Sequence, residues 1–127
     1  MKTFKSARAV LVALALSAAF AAVAPAAEAR GRFCNNWVCI TSHDDGLYLG
    51  GLEVGVWQSS VPGSTNVHIW SSDGRYDYYR RGLRGSYMRT LVHWAFPRRY
   101  FRSGARVCAE ASIDGRKVGL ACFTMRA

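Results

Sequence analysis

Acid and base groups are scarce in this chain of 127 residues, which carries three histidines and eight carboxylates against 17 basic side chains. His43, His68 and His93 are the groups able to exchange protons near neutrality. Glu53 and Glu110 lie in strand-like stretches and could form an acid/base pair. A glutamate base from Glu53 or Glu110, a histidine acid from His68 or His93, and a phosphate clamp from Arg80 or Arg81 would have the composition of a small nuclease. His43-Asp44-Asp45 could hold a cation, although turn aspartates usually cap their own backbone. There is no Gly-x-Ser-x-Gly elbow, no His-Glu-x-x-His pair and no phosphate-cradling glycine loop, and nothing calls for a metal or cofactor. The residues favour binding over catalysis, with a nuclease-like hydrolase as the alternative.

Charge distribution is the stronger signal. From Phe33 to Gly74 there is no Lys or Arg, only the acids Asp44, Asp45, Glu53 and Asp73. From Arg75 to Arg106 there are nine arginines against the single acid Asp77, interleaved with Tyr76, Tyr78, Tyr79, Tyr87, Trp94, Tyr100 and Phe101. Guanidinium groups offer paired donors to phosphate, sulfate or carboxylate, and aromatic rings offer stacking faces, so this block suits an anionic polymer. The candidate anion-binding residues are Arg80, Arg81, Arg84, Arg98, Arg99, Tyr100 and Arg102. Phe96 to Gly104, stiffened by Pro97, is the candidate recognition tip. Outside a cell the polymer would be an envelope polysaccharide, nucleic acid or an anionic lipid surface. An extracellular protein is the other partner class, since Ser59 to Ser64 could be the presented loop of an enzyme inhibitor; ordinary turn chemistry explains that segment as well. A monomer is expected.

An extracellular setting follows from the N-terminus. Lys2, Lys5 and Arg8 precede an apolar run from Ala9 to Ala24 broken only by Ser17, and Ala27-Glu28-Ala29 has the form of a cleavage site. The run is short and Ala-rich for a membrane anchor, which needs roughly 20 strongly apolar residues. Residues 1–29 are therefore expected to be a cleaved signal peptide, leaving 30–127 as one secreted domain. All four cysteines, Cys34, Cys39, Cys108 and Cys122, fall in that domain, and in an exported chain they point to two disulfides. Their spacing lacks the Cys-x-x-Cys pair of a zinc site.

The elements that must position these groups read as strands. Short runs of Val, Ile, Tyr, Trp and Thr alternate with turn clusters, and no helical stripe occurs. Strands are expected near 36–42, 47–58, 66–71, 75–80, 86–94, 105–113 and 117–125, with turns at 43–46, 61–64, 72–74, 81–85, 97–99 and 114–115. About seven short strands at this spacing predict an all-β, immunoglobulin-like antiparallel sandwich. A two-residue loop at Asp73-Gly74, both at positive φ, would set Trp70 opposite Asp77, Ile69 opposite Tyr78 and His68 opposite Tyr79. Cys108 and Cys122 are symmetric about Gly115. A loop of odd length there would face the sulfurs across the ladder and put Val107, Ala109, Ala111, Ala121 and Phe123 on one side. Cys34 would then pair with Cys39; the rival connectivity joins the N-terminal strand to the C-terminal hairpin.

Trp37-Val38-Cys39, together with Val107-Cys108-Ala109-Glu110 through Asp114-Gly115 to Ala121-Cys122, resembles the small secreted proteins of actinobacteria that have a two-disulfide β-sandwich and no settled activity. The Ala-rich leader and the preference for Arg over the single mature lysine, Lys117, agree with it. The resemblance implies location and fold, and it implies no mechanism.

Overall fold

The computed structural model describes residues 31–58 and 63–127; the expected signal peptide, and residues 59–62 of the expected inhibitor-type loop, lie outside the described residues. Alternation of apolar and polar residues organises the described chain into nine strands. These are β1 (Gly31–Asn35), β2 (Val38–Asp45), β3 (Tyr48–Gln58), β4 (Ser64–Ser71), β5 (Asp77–Arg84), β6 (Arg89–Ala95), β7 (Arg99–Tyr100), β8 (Arg106–Ile113) and β9 (Arg116–Thr124). One sheet, A, runs β1-β2-β3-β6, with β7 pairing the start of β3; the other, B, runs β5-β4-β8-β9. Every pairing is antiparallel.

The domain is thus all-β with two sheets, and it has nine strands where about seven were expected. β1 and β7 are the additions: β7 falls inside the Phe96 to Gly104 tip, and the segment before Asn36 has little strand signal. Residues 81–84, expected as a turn, continue β5 instead, and the turn moves to the residues before β6. An immunoglobulin constant-type sandwich divides its strands ABED and CFG. Here the first three strands stay together in sheet A.

The core is where the inward faces meet. Sheet A supplies the larger groups Ile40, Leu49, Leu52, Val54 and Val56, and sheet B supplies Val67, Ile69, Val107 and Phe123 with the small Ala109, Ala111 and Ala121. Large against small lets the layers interdigitate at crystal-like density. Leu49 and Leu52 are an odd number of residues apart, yet both are fully buried. A register shift between His43 and Asp44 leaves Gly50 without a partner and resets the alternation.

Both disulfides form as the local pairing predicts, Cys34 with Cys39 and Cys108 with Cys122. Each joins residues directly opposite on neighbouring strands, and both sit on the sides of the ladders away from the core. The C-terminal hairpin keeps Cys108 facing Cys122 without a loop of odd length. Asp114 and Gly115 form a two-residue turn, both at positive φ (50° and 81°), and a bulge between Ala111 and Ser112 restores the cysteine register. At the other hairpin the predicted pairs Trp70–Asp77, Ile69–Tyr78 and His68–Tyr79 are all present. Only Gly74 there takes positive φ, at 73°, and Asp73 does not.

The sheets meet along two seams. At the β1/β9 seam the Trp37 N–H donates to the Val118 carbonyl at 3.2 Å, the Asn35 side-chain amide donates to the Leu120 carbonyl at 2.9 Å, and Phe33 stacks on Phe123. Gly119 lies where a Cβ would come within 2.6 Å of the Asn35 carbonyl oxygen. The β5/β6 seam is bridged by the Tyr78 hydroxyl and His93 Nε2, 2.9 Å apart.

Two outcomes follow for stability. Replacing both Cys108 and Cys122 by Ser should cost about 3 kcal/mol and replacing Cys34 and Cys39 about 2 kcal/mol, in proportion to the loops they close, as read from urea unfolding midpoints. Gly119→Ala should cost about 2 kcal/mol in the same assay, because backbone rather than a flexible side chain blocks the methyl.

Candidate functional site

Strand alternation divides the basic block among different surfaces. On β5, Arg80 pairs with the buried Val67 and points inward at the sheet edge, while Tyr79 and Arg81 stand on the outer face of sheet B. Arg84 ends β5 opposite Ser64. Arg98, Arg99, Tyr100 and Arg102 lie beyond β6, at the end of the sandwich that also carries the β4–β5 turn. The seven candidate residues therefore do not form one patch.

At that end the arginines are partly structural. Arg99 donates from Nε to the Pro97 carbonyl at 3.0 Å and from Nη1 to the Arg75 carbonyl at 2.6 Å, and its guanidinium lies over the Tyr76 ring at 5.1 Å. Arg75 donates to the Tyr100 carbonyl at 3.1 Å. The anchor beneath them is Asp73, whose side chain is 5 % exposed. Its carboxylate accepts from the Ser71 hydroxyl, the Arg75 N–H and the Arg102 N–H at 2.7, 3.2 and 3.0 Å. Burial alone would raise the Asp73 pKa; the Arg102 N–H, the Ser71 hydroxyl, the Arg75 N–H and the Arg75 charge together outweigh it and hold the group below its ordinary value of 3.8. Arg98, over the Phe96 ring at 5.4 Å, Tyr100 and Arg102 remain exposed.

The outer face of sheet B assembles more of the chemistry. His68 on β4 stacks flat on Tyr79 of β5, with centroids 3.8 Å apart and planes 5° apart, and on Trp70 at 4.6 Å. The Arg81 guanidinium lies over the Tyr79 ring, 5.5 Å from its centroid. Asp77 Oδ1 is 2.6 Å from His68 Nε2. On the β8 side, Glu110 is the direct cross-strand partner of His68, and Lys117 Nζ is 3.6 Å from Glu110 Oε1. The concavity between them, about 210 Å³, is lined by Asn66, His68, Tyr79, Arg81, Glu110 and Ser112.

No family model, curated protein or solved structure matches this chain. Its chemistry has to be read from its own residues. Among the described residues there is no group of three or more His, Cys, Asp or Glu side chains that could hold a metal ion, and no helix long and apolar enough to cross a membrane.

Of the trial acid/base set, the structure brings together His68, Glu110 and Arg81. It separates Glu53, which stands between Thr41 and Trp94 on the outside of sheet A, so Glu53 and Glu110 cannot act as a pair. His43 stacks on Trp94 on that same outer face. His93 sits in the β5/β6 seam, where burial first and the Arg80 charge second lower its pKa from 6.5. The Asp77 contact to His68 is absent from the sequence reading, although the predicted register places Asp77 two pairs away, the next pair on the same face. That reading also missed Lys117, and a groove of about 530 Å³ at the β1/β9 seam with Arg32 and Arg106 at its rim between the disulfides. The Asp77 and Lys117 contacts lie inside local hairpins, and only the seam groove joins segments distant in sequence.

Acidification should act in two windows. His93, with its pKa lowered on folding, contributes stability that is present above pH 6.5 and is lost as the pH falls through its folded value. Asp73 does the same below 3.8. Urea midpoints measured against pH should therefore fall in two steps, with His93→Gln removing the upper and Asp73→Asn the lower; at neutral pH Asp73→Asn should cost about 1 to 2 kcal/mol.

Proposed function

We propose that this chain is an exported protein that binds an anionic, base-bearing polymer, single-stranded nucleic acid, on the outer face of sheet B. The observation that carries the proposal is the stack of Arg81, Tyr79 and His68 in the wall of a concavity, with Trp70 stacked on His68 beyond it. Stacked rings offer a further flat ring a face of about the right kind, and a guanidinium at the end of the stack offers paired donors to the phosphate that follows it. A sulfated or teichoic polymer would use the cations and leave the rings idle. The leader expected at residues 1–29 supports release from the cell, and the two disulfides suit an oxidising exterior. The immunoglobulin-like likeness is one of use, in that two packed sheets leave outer faces and end loops for contact. The exposed Arg98, Tyr100 and Arg102 are a separate basic surface at the end of the sandwich that carries the β4–β5 turn.

Retention of the disulfide-bonded protein on single-stranded RNA or DNA should fall steeply with salt, because bound phosphate contacts release counterions. Arg81→Ala should weaken binding and reduce the slope of log affinity against log salt by about 0.7, and Tyr79→Ala should cost about 1 to 3 kcal/mol. Equal retention of the wild type and both variants on single-stranded RNA and DNA would remove the stacking face from the site.

A further inference from the structure

We infer that the same face of sheet B cleaves RNA, with Glu110 and His68 as base and acid; the inference rests on the binding proposed above and adds a reaction to it. His68 and Glu110 are opposite each other on β4 and β8, which places their Cβ atoms about 5 Å apart on one surface. Both line the concavity that Arg81 borders from β5. Cationic groups flank the pair on both sides, Arg81 over Tyr79 and Lys117 beside Glu110, so a phosphodiester lying across the ladder meets a positive charge at each end.

The histidine is held for proton transfer. Its ring is fixed by stacking on Tyr79 and Trp70, and Asp77 Oδ1 accepts from Nε2–H at 2.6 Å. Nδ1 is left as the nitrogen that exchanges a proton with substrate. Asp77 is then a positioning residue that acts through His68.

The reaction uses only groups of the substrate and these side chains. The Glu110 carboxylate takes the proton of a ribose 2′-hydroxyl, and the 2′-oxygen forms a bond to the adjacent phosphorus. The bond from phosphorus to the 5′-oxygen of the next nucleotide breaks, and that oxygen takes the proton from His68 Nδ1. The products are a 2′,3′-cyclic phosphate and a 5′-hydroxyl; Glu110 ends protonated and His68 neutral, and solvent restores both. A strand without 2′-hydroxyls binds in the same place and stays whole.

The test incubates the disulfide-bonded protein with a single-stranded RNA of defined length, and with DNA of the same sequence, in the presence of EDTA. RNA should be cut to fragments ending in 2′,3′-cyclic phosphate, and DNA should be retained uncut. Glu110→Gln and His68→Gln should each slow cleavage about 100-fold or more, and Asp77→Asn should lower kcat while KM stays within about twofold. Urea midpoints of the variants separate lost chemistry from lost folding, and an RNA methylated at one 2′-oxygen, resistant only at that linkage, checks the step without any variant. RNA held by the protein but intact would sink this inference and leave the binding proposal standing. RNA and DNA both unretained at low salt would sink the two together. Cleavage that persists at the wild-type rate in well-folded Glu110→Gln and His68→Gln assigns the reaction elsewhere and overturns the site.

Discussion

The central strands β2, β3 and β4 of this small domain keep one side away from water along their length, and the chain holds that alternation in place by breaking regular pairing at three places. At the first, Gly50 is left over between His43 and Asp44, so that Leu49 and Leu52 both reach the core. At the second, the pairing of β4 with β5 shifts between Thr65 and Val67, which keeps Tyr78, Arg80 and Leu83 on the inward side of the edge strand. At the third, Val118 is the extra residue between Ala111 and Ser112. A slip of one residue without these bulges would turn every later side chain to the wrong face.

The third bulge has further effects. It lets the Asp114-Gly115 pair form the two-residue turn its residues prefer while Cys108 still faces Cys122. It also places the Val118 carbonyl where the Trp37 N–H can reach it, closing the β1/β9 seam. The covalent links sit outside the ladders they brace, so the interior is left to apolar side chains, and the alanines of sheet B can approach the larger residues of sheet A. The opposite seam is bridged by a polar contact between Tyr78 and His93, and burial there lowers the His93 pKa.

The same alternation decides what the basic block can do. Nine arginines close in sequence become separate structural roles, because neighbouring residues on a strand face opposite ways. Arg80 tunes His93, Arg75 and Arg99 tie the end segments together above Asp73, and Arg81 joins an aromatic stack on the outer face. A run of charge that looks uniform in sequence is therefore partly scaffold. What remains for a ligand is smaller and better shaped than the composition suggests.

Local chemistry made a good deal of this legible. The hairpin pairs about Gly74 and the inward face of the last two strands follow from turn residues and period-two patterning, and the disulfides follow from cysteine symmetry and nearness in sequence. The all-β class follows from the same signals. Strand order does not, because pairing β4 with β8 across some forty residues, or β3 with β6, leaves no mark on either partner alone. That pairing alone puts Glu110 opposite His68 and sends Glu53 to the other side of the sandwich. The residue types announced an acid, a base and a cation; only the long-range ladder chose which of each would share a surface, since side chains far apart in sequence meet through backbone hydrogen bonds that any residue can make.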